Sequence, residues 1–495
     1  MKWLPWLIFA LFGYFLLGNN FSAKLGMIDD HEIAHLLGSD GKISLYQIPS
    51  VIMGTEVGQW GKYLRFRPSY YMLRVVEASL WGDNATLWYI SRYLMIVLSM
   101  WIGFQILLTY FPNIISYLFV FYAMTMPFWP DLLTRLGPSE IYTIPAILLF
   151  VYGMMKNRLW MLAIGYTVCV GAKENFLILF PLLLLWSASR AYTKKLTRGE
   201  LITTIILTLY TLTIVGAILV ATAKAGTDIY GTQISYRYRI TKFVWDIPKI
   251  VWSRHMIPSL LVFLAGIVVS VKKIKSSPIA KHVALMLTIL VVIASQYVFY
   301  VNQLPSNMRY DFPALLLFPI LDLVAMSMII TYFAKHKSGT VIKIGLYGLM
   351  MLIFSFYILH RGYDLIHLQS IKNTTESRGF ERVLQSAQKM IKENPSTSIV
   401  FVSERFIDFE PIVSVARYLN ANGVSNQFQL YYNPPKTTND PMELDDRLKQ
   451  VMMGNLGTDH VFDRFSKYRE ARDKCFSITF GSSLPLSECP EIARF

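Results

Sequence analysis

Apolar residues in this chain fall into long runs separated by short polar stretches. A helix needs about 20 residues to cross the hydrocarbon core of a bilayer. Runs of that character lie near 3–19, 88–110, 114–130, 140–155, 159–172, 176–189, 201–222, 257–271, 283–301, 312–333 and 342–360, which predicts about eleven spans. The polar stretches between them alternate in charge. Lys156–Arg158, Arg190–Arg198, Lys272–Lys281 and Lys335–Lys343 are dense in Lys and Arg, with almost no acid beside Glu200. Excess Lys and Arg marks cytoplasmic loops, so the N-terminus lies inside and everything after about residue 361 lies outside. The predicted fold is an α-helical polytopic membrane protein, with a transmembrane domain over residues 1–360 and a small C-terminal extracytoplasmic α/β domain over 361–495.

The polar segments outside the spans carry their own patterns. The loop 20–87 predicts helices around Asp30–Leu37 and Tyr70–Leu80, and Tyr70–Val76 is amphipathic enough to lie on a membrane surface. In the tail, Ser398–Ser403, Gln427–Tyr432 and Cys475–Phe480 read as strands, and Glu376–Lys392, Phe409–Leu419 and Met442–Met453 as helices. Asn422-Gly423 is a helix stop. Lys2 ahead of a short apolar core has the look of a signal peptide. No small-x-small site precedes the acidic cluster at 29–32, which predicts an uncleaved anchor, and cleavage near Ala23 would leave the orientation unchanged.

Composition agrees with the pattern. The chain is 54% hydrophobic and 14% aromatic, too apolar for an ordinary soluble protein of this length. Its net charge of +15 would point to nucleic acid in a soluble protein; here the cations map to membrane loops, and no nucleic-acid partner is implied. Of three cysteines, Cys169 falls in a span and reads as packing. Cys475 and Cys489 fall in the exported tail, where an oxidising compartment permits a bridge across a small loop. Asn84-Ala85-Thr86 and Asn373-Thr374-Thr375 match the glycosylation sequon, which has meaning only in a eukaryotic secretory route.

Five polar clusters map to the outer membrane face: Asp29-Asp30-His31-Glu32 with His35, Arg65-Phe66-Arg67-Pro68, Thr134-Arg135-Leu136-Gly137-Pro138-Ser139-Glu140, Lys173-Glu174-Asn175, and Asn302 to Asp311 with Arg309-Tyr310. Ionisable residues between apolar runs are expensive and usually face a polar cavity. Lys173-Glu174, between two short runs, fits that description, although a tight exposed turn gives the same pattern. Arg135 and Arg309 have the alternative of snorkelling to headgroups. Glu140 opens a span, where a helix N-terminus favours a carboxylate.

The first cluster reads two ways. His31-Glu32-Ile33-Ala34-His35 fits H-E-x-x-H, which implies a zinc metalloprotease with Glu32 as base and Asp40 as a third ligand. A protease domain needs more chain than the loop offers, and this reading leaves Arg135, Lys173 and Arg309 unused. A helix capped by Asp29 or Asp30 is the bland reading.

The ordered set Asp29-Asp30, Arg67-Pro68, Arg135 to Glu140, Lys173-Glu174 and Arg309-Tyr310 to Pro313 resembles the GT-C superfamily of integral membrane glycosyltransferases over roughly residues 1–360. The tail carries no motif of that family. The resemblance implies a polyprenyl-phosphate-linked sugar as donor, and a glycan, lipid or protein as acceptor on the extracytoplasmic side of the cytoplasmic membrane. It implies an Asp general base, Asp29 first and Asp30 second. Arg135, Lys173, Arg309 and Arg67 would hold the donor phosphate, with Glu140, Glu174, His31 and Tyr310 in support. Metal dependence differs among members, so a divalent cation stays open. A transporter of lipid-linked sugars is the third class; it would need charges near the midplane or on both faces, and here they gather at one.

Overall fold

The computed structural model describes residues 3–27, 30–59, 65–126, 129–225, 236–253, 289–298, 363–393, 398–403, 409–424, 428–432, 461–463, 475–479 and 486–488, with single positions between 260 and 352, among them Phe312. Asp29, Arg309, Tyr310 and Cys489 lie outside the described residues, as do the helix expected at Met442–Met453 and most of the spans expected after residue 256.

The membrane part begins with α1 (Leu4–Leu17), which a 3-10 turn extends to Ser22. Short helices α2 (His31–Leu37) and α3 (Ile48–Gly54) follow, then α4 (Pro68–Trp81), with Pro68 at its first turn, where its missing N–H costs nothing. Next come α5 (Ala85–Leu107), α6 (Asn113–Met124), α7 (Trp129–Leu133), α8 (Glu140–Lys156), α9 (Leu159–Ala172), α10 (Leu179–Tyr192), α11 (Arg198–Ala225) and α12 (Tyr236–Ser253). Among the described residues, four stretches are long and apolar enough to cross a membrane: Leu4–Ser22, Ala85–Leu107, Glu174–Tyr192 and Arg198–Ala221. The protein is a multi-pass membrane protein.

One expected run is divided. The apolar stretch 114–130 forms α6 and α7 rather than a continuous helix. Pro127 and Pro130 remove backbone donors there, and the Thr125 hydroxyl donates to the Tyr122 carbonyl, 3.0 Å, as α6 ends. Helices α8 and α9 form a tight hairpin, reversed at Asn157 in the left-handed region (φ 53°). They approach so closely that a Cβ on Gly165 would lie 2.4 Å from the Ala146 carbonyl oxygen. Small residues at helix crossings are how membrane bundles gain packing contacts.

Helix α4 is amphipathic as expected, but most of it is buried, leaving Met72, Val76 and Leu80 as an exposed apolar stripe. Helix α12 carries a second stripe, Tyr238, Trp245 and Trp252 at seven-residue intervals, all exposed. Glu200, the acid among the basic loops, accepts from the Thr197 backbone N–H and from Arg190, both at 2.7 Å.

In the tail, α13 (Tyr363–Lys392) leads to β1 (Ser398–Ser403), α14 (Phe409–Ala421) and β2 (Phe428–Tyr432), then β3 (Val461–Asp463), β4 (Cys475–Thr479) and β5 (Leu486–Glu488). The sheet order is β3-β2-β1-β4-β5, parallel except for the β4–β5 pair. Parallel neighbours need a crossover, and α14 supplies the one between β1 and β2. Ile399 and Phe401, alternate residues of β1, pack with Phe380, Leu384 and Ile391 of α13 and with Ile412, Ala416 and Leu419 of α14. Ala34 of α2 belongs to the same cluster, so the tail is packed directly on the loop that carries the acidic residues. The sequon residues are engaged: Asn84 caps α5 through Leu87 N, and Asn373 donates to Asn20 and Tyr89. Cys169 is buried and packs in α9.

Gly165→Leu should collapse the α8–α9 hairpin, because backbone rather than a movable side chain fills the space. The expected result is a large drop in thermal midpoint in detergent, whereas Ile164→Leu, on the exposed side of the same helix, should leave it nearly unchanged.

Candidate active site

Residues 23–27, on the way to α2, are irregular. An irregular segment has no ladder to satisfy its backbone, so its polar groups need side-chain partners. Asp30 is buried at the start of α2 and supplies three. One carboxylate oxygen accepts from Gly26 N at 2.8 Å, and the other from Leu136 N at 3.2 Å and Gly137 N at 2.8 Å. The expected helix cap is therefore not what this side chain does. Asp30 has helical backbone angles (φ −72°, ψ −15°) and makes no side-chain bond to the first turn of α2; its carboxylate reaches across to the 134–140 segment instead.

The same two residues of that segment are held from the other side. Arg74 of α4, fully buried, donates through Nη2 to the carbonyls of Leu136 (2.7 Å) and Gly137 (2.9 Å). Its guanidinium lies among the rings of Tyr70, Trp88 and Tyr142, an arrangement that suits a weakly hydrated cation. The Leu136-Gly137 backbone, next to Arg135, is thus fixed by a carboxylate on its N–H groups and a guanidinium on its carbonyls. Asp30 and Arg135 both lie within electrostatic reach of the Tyr89 hydroxyl.

Glu32 accepts from the Tyr70 hydroxyl at 2.6 Å. Burial raises the Glu32 pKa, but Arg67, the Tyr70 bond and Arg74 outweigh it and hold the carboxyl below the ordinary carboxylate value. His31 is buried, whereas His35 one turn later is exposed. Among the described residues no three His, Cys, Asp or Glu side chains gather where they could hold a metal ion. The zinc reading of H-E-x-x-H therefore has neither a third ligand, such as Asp40, nor an uncommitted Glu32.

Arg67, expected at a phosphate, is instead forked onto Glu56 (3.1 and 2.6 Å), with Tyr71 at 3.2 Å and the Tyr70 ring beneath it. The pKa of Arg67 stands well above its ordinary value, because Glu56 and neighbouring groups outweigh the effect of burial. A ligand phosphate would have to displace that carboxylate.

Lys173 and Glu140, expected separately, form a buried ion pair between the end of α9 and the start of α8. Lys173 is extended (φ −162°, ψ 142°), which breaks α9 and starts the 3-10 turn Glu174–Ile178. Glu174 pairs with Arg65 at 3.7 Å. Asn175 donates to the Phe312 carbonyl at 2.9 Å, as does Gln296 at 2.8 Å, and Phe312 packs on Trp129 and Phe176. Phe312, three residues beyond Arg309 in sequence, is thus anchored to the turn bearing Lys173. Among the described residues, four of the five clusters separated in sequence are joined to one another.

Comparison with known proteins follows this geometry. No family model matches the chain, and no curated protein matches it by sequence. Among solved structures it is similar to ArnT from Cupriavidus metallidurans, a GT-C protein, in a crystal structure with undecaprenyl phosphate bound. The TM-score is 0.52 at 10% identity, over 96% of this chain and 92% of that one. This chain has an ArnT-like fold. At that identity the likeness reaches the architecture alone.

Within that fold, the sequence reading missed a buried network behind the loop. Glu77 of α4 accepts both Arg92 nitrogens of α5 (2.7 and 2.8 Å), Ser91 (2.8 Å) and the Tyr142 hydroxyl of α8. Arg92 was detectable as a lone cation inside the apolar run 88–110, where an ionisable residue marks a partner or a site. Arg74 and Glu77 gave no comparable signal, because three residues apart on an amphipathic helix they read as its solvent face.

Lys173→Met leaves the Glu140 carboxylate buried and unpaired, which costs about 3–5 kcal/mol. Thermal unfolding in detergent should show that loss, and Lys173→Met with Glu140→Leu should recover much of it. A double variant as unstable as the single one would contradict the buried pair.

Proposed function

We propose that this protein is a membrane glycosyltransferase that takes a sugar from a polyprenyl-phosphate carrier and transfers it to a hydroxyl acceptor at the extracytoplasmic face. The observation that carries the reading is the joining, among the described residues, of the clusters at Asp30, Arg65–Arg67, Thr134–Glu140 and Lys173–Glu174 into one network. That ArnT holds undecaprenyl phosphate supports a lipid phosphate as part of the donor. The tail, residues 361–495, is an extracytoplasmic α/β domain in this reading.

Asp29 is the base. The engagement of both Asp30 carboxylate oxygens by backbone N–H groups supports the choice of Asp29 over Asp30. The carboxylate removes the acceptor hydroxyl proton, the oxygen bonds to the anomeric carbon, and the bond from that carbon to the phosphate oxygen breaks. The electron pair leaves with the polyprenyl phosphate. Charge grows on the phosphate as that bond opens, and fixed cations in a dry site lower the barrier most where charge develops.

Arg135 and Arg309 are the phosphate ligands, and Lys173 contributes its field while Glu140 holds it. Arg67 supports the loop through Glu56, His31 and Glu174 shape the surroundings, and Tyr310 stands beside Arg309 in sequence. The acceptor is a glycan, lipid or protein bearing a free hydroxyl.

The two aspartates should separate experimentally. Purified variants are incubated with a panel of undecaprenyl-phosphate-linked sugars and candidate acceptors, and released undecaprenyl phosphate is measured. Asp29→Asn should abolish release and keep the wild-type thermal midpoint. Asp30→Asn should lower both, because its loss frees the loop from the 134–140 segment. Wild-type turnover in Asp29→Asn would overturn the assignment of the base.

A further inference from the structure

The backbone of residues 19–27, which leads to the acidic pair, takes many of its hydrogen bonds from the tail. Helix α13 provides one side of the support. The Thr374 hydroxyl donates to Asn19 O at 2.9 Å, Arg378 Nε to Ser22 O at 2.8 Å, and Lys24 N donates to the Ser377 hydroxyl at 3.0 Å. Lys24 also pairs with Glu381 at 3.1 Å. Helix α14 provides the other. The Tyr418 hydroxyl donates to Gly26 O at 2.8 Å, and Ser414 donates to Met27 O. Ser414 and Tyr418 sit four residues apart, one turn of one helix face, and both are buried.

These contacts place a constraint on the loop. Gly26 is held at its carbonyl by Tyr418 and at its N–H by Asp30, so a tail residue and a loop carboxylate grip the two peptide units that flank one residue. Met27, two residues before Asp29 in sequence, has a backbone partner in α14. Leu25 and Met27 pack against the tail's apolar cluster and Ala34 of α2 is part of it, so apolar and polar contacts act on the same few residues. A loop without secondary structure has little else to fix it at the precision a general base needs, which is hydrogen-bond reach of its proton.

We propose that Tyr418 and Ser414 are positioning residues of the transferase site, through which the tail sets the register of the acidic loop. They act through Gly26 and Met27 and touch no substrate. The proposal rests on the assignment of Asp29 as the base, and it gives the tail a part in catalysis in addition to any part in acceptor recognition.

The test uses the full-length protein in lipid nanodiscs and compares wild type with the double variant Ser414→Ala, Tyr418→Phe. Ile412→Val, which loosens the tail's apolar core without removing a hydrogen bond to the loop, is the control. Hydrogen exchange across residues 23–33 should accelerate about tenfold in the double variant, since two buried hydrogen bonds are lost, and stay at the wild-type rate in Ile412→Val. Turnover of the undecaprenyl-phosphate sugar panel should lose about tenfold in kcat in the double variant, with KM for the donor within about twofold.

Unchanged loop exchange in the double variant would overturn the proposal. So would an equal loss of kcat in Ile412→Val at a matched drop in thermal midpoint, because that is what a purely structural tail would give. Asp29→Asn, measured alongside, reports on the base by itself: full turnover there with accelerated loop exchange in the double variant would remove the base and leave the tail's hold on the loop intact.

Discussion

One carboxylate joins the two halves of the candidate site. Asp30 accepts N–H groups from Gly26 and from Leu136 and Gly137, residues far apart in the chain. Hydrogen bonds to an ionised acceptor are about twice as strong as neutral ones, and inside a buried site they have no water to compete with them. This contact ties the acidic loop to the Arg135 segment, where Leu136 also packs with Ala23, Ile33 and Leu37. Arg74, on the carbonyls of the same segment, completes a clamp in which opposite charges hold opposite ends of the peptide dipoles.

The surrounding structure shows the cost of charge away from water. Glu77 with Arg92, Glu56 with Arg67 and Glu140 with Lys173 are each closely paired. A buried ion alone costs several kcal/mol, and pairing with added hydrogen bonds offsets that penalty. Two of the pairs also join helices: Glu77 and Arg92 with Tyr142 connect α4, α5 and α8, and Lys173 with Glu140 connects the end of α9 to α8. The charges that make the site are therefore also the polar bonds among these helices.

Much of the fold is legible in the sequence because hydrophobic runs and turn residues are local signals. The spans near 88–110, 140–155 and 201–222 appear within a few residues of the runs that predicted them, and the strands at Ser398–Ser403 and Cys475–Thr479 follow their β-branched and aromatic residues. Pairing is not local. Nothing near Arg67 announces Glu56, and nothing near Lys173 announces Glu140 rather than a ligand. H-E-x-x-H was the sharpest match in the chain, yet five residues cannot encode a third ligand, and Tyr70 takes the Glu32 carboxylate. Asp30 was readable as a residue of the site, but its role depends on Leu136 and Gly137, which only the fold brings to it.

The central claim is that the clusters around Arg135, Lys173 and Arg309 make one site for a lipid phosphate. Binding of undecaprenyl phosphate and of undecaprenol to the full-length protein in nanodiscs tests it directly. The account predicts that undecaprenyl phosphate binds at least about tenfold more tightly than undecaprenol, and that Arg135→Ala with Arg309→Ala removes the difference, as expected when charge-assisted bonds to phosphate are lost. Equal affinity for the two lipids, or a preference that survives in the double variant, would contradict it.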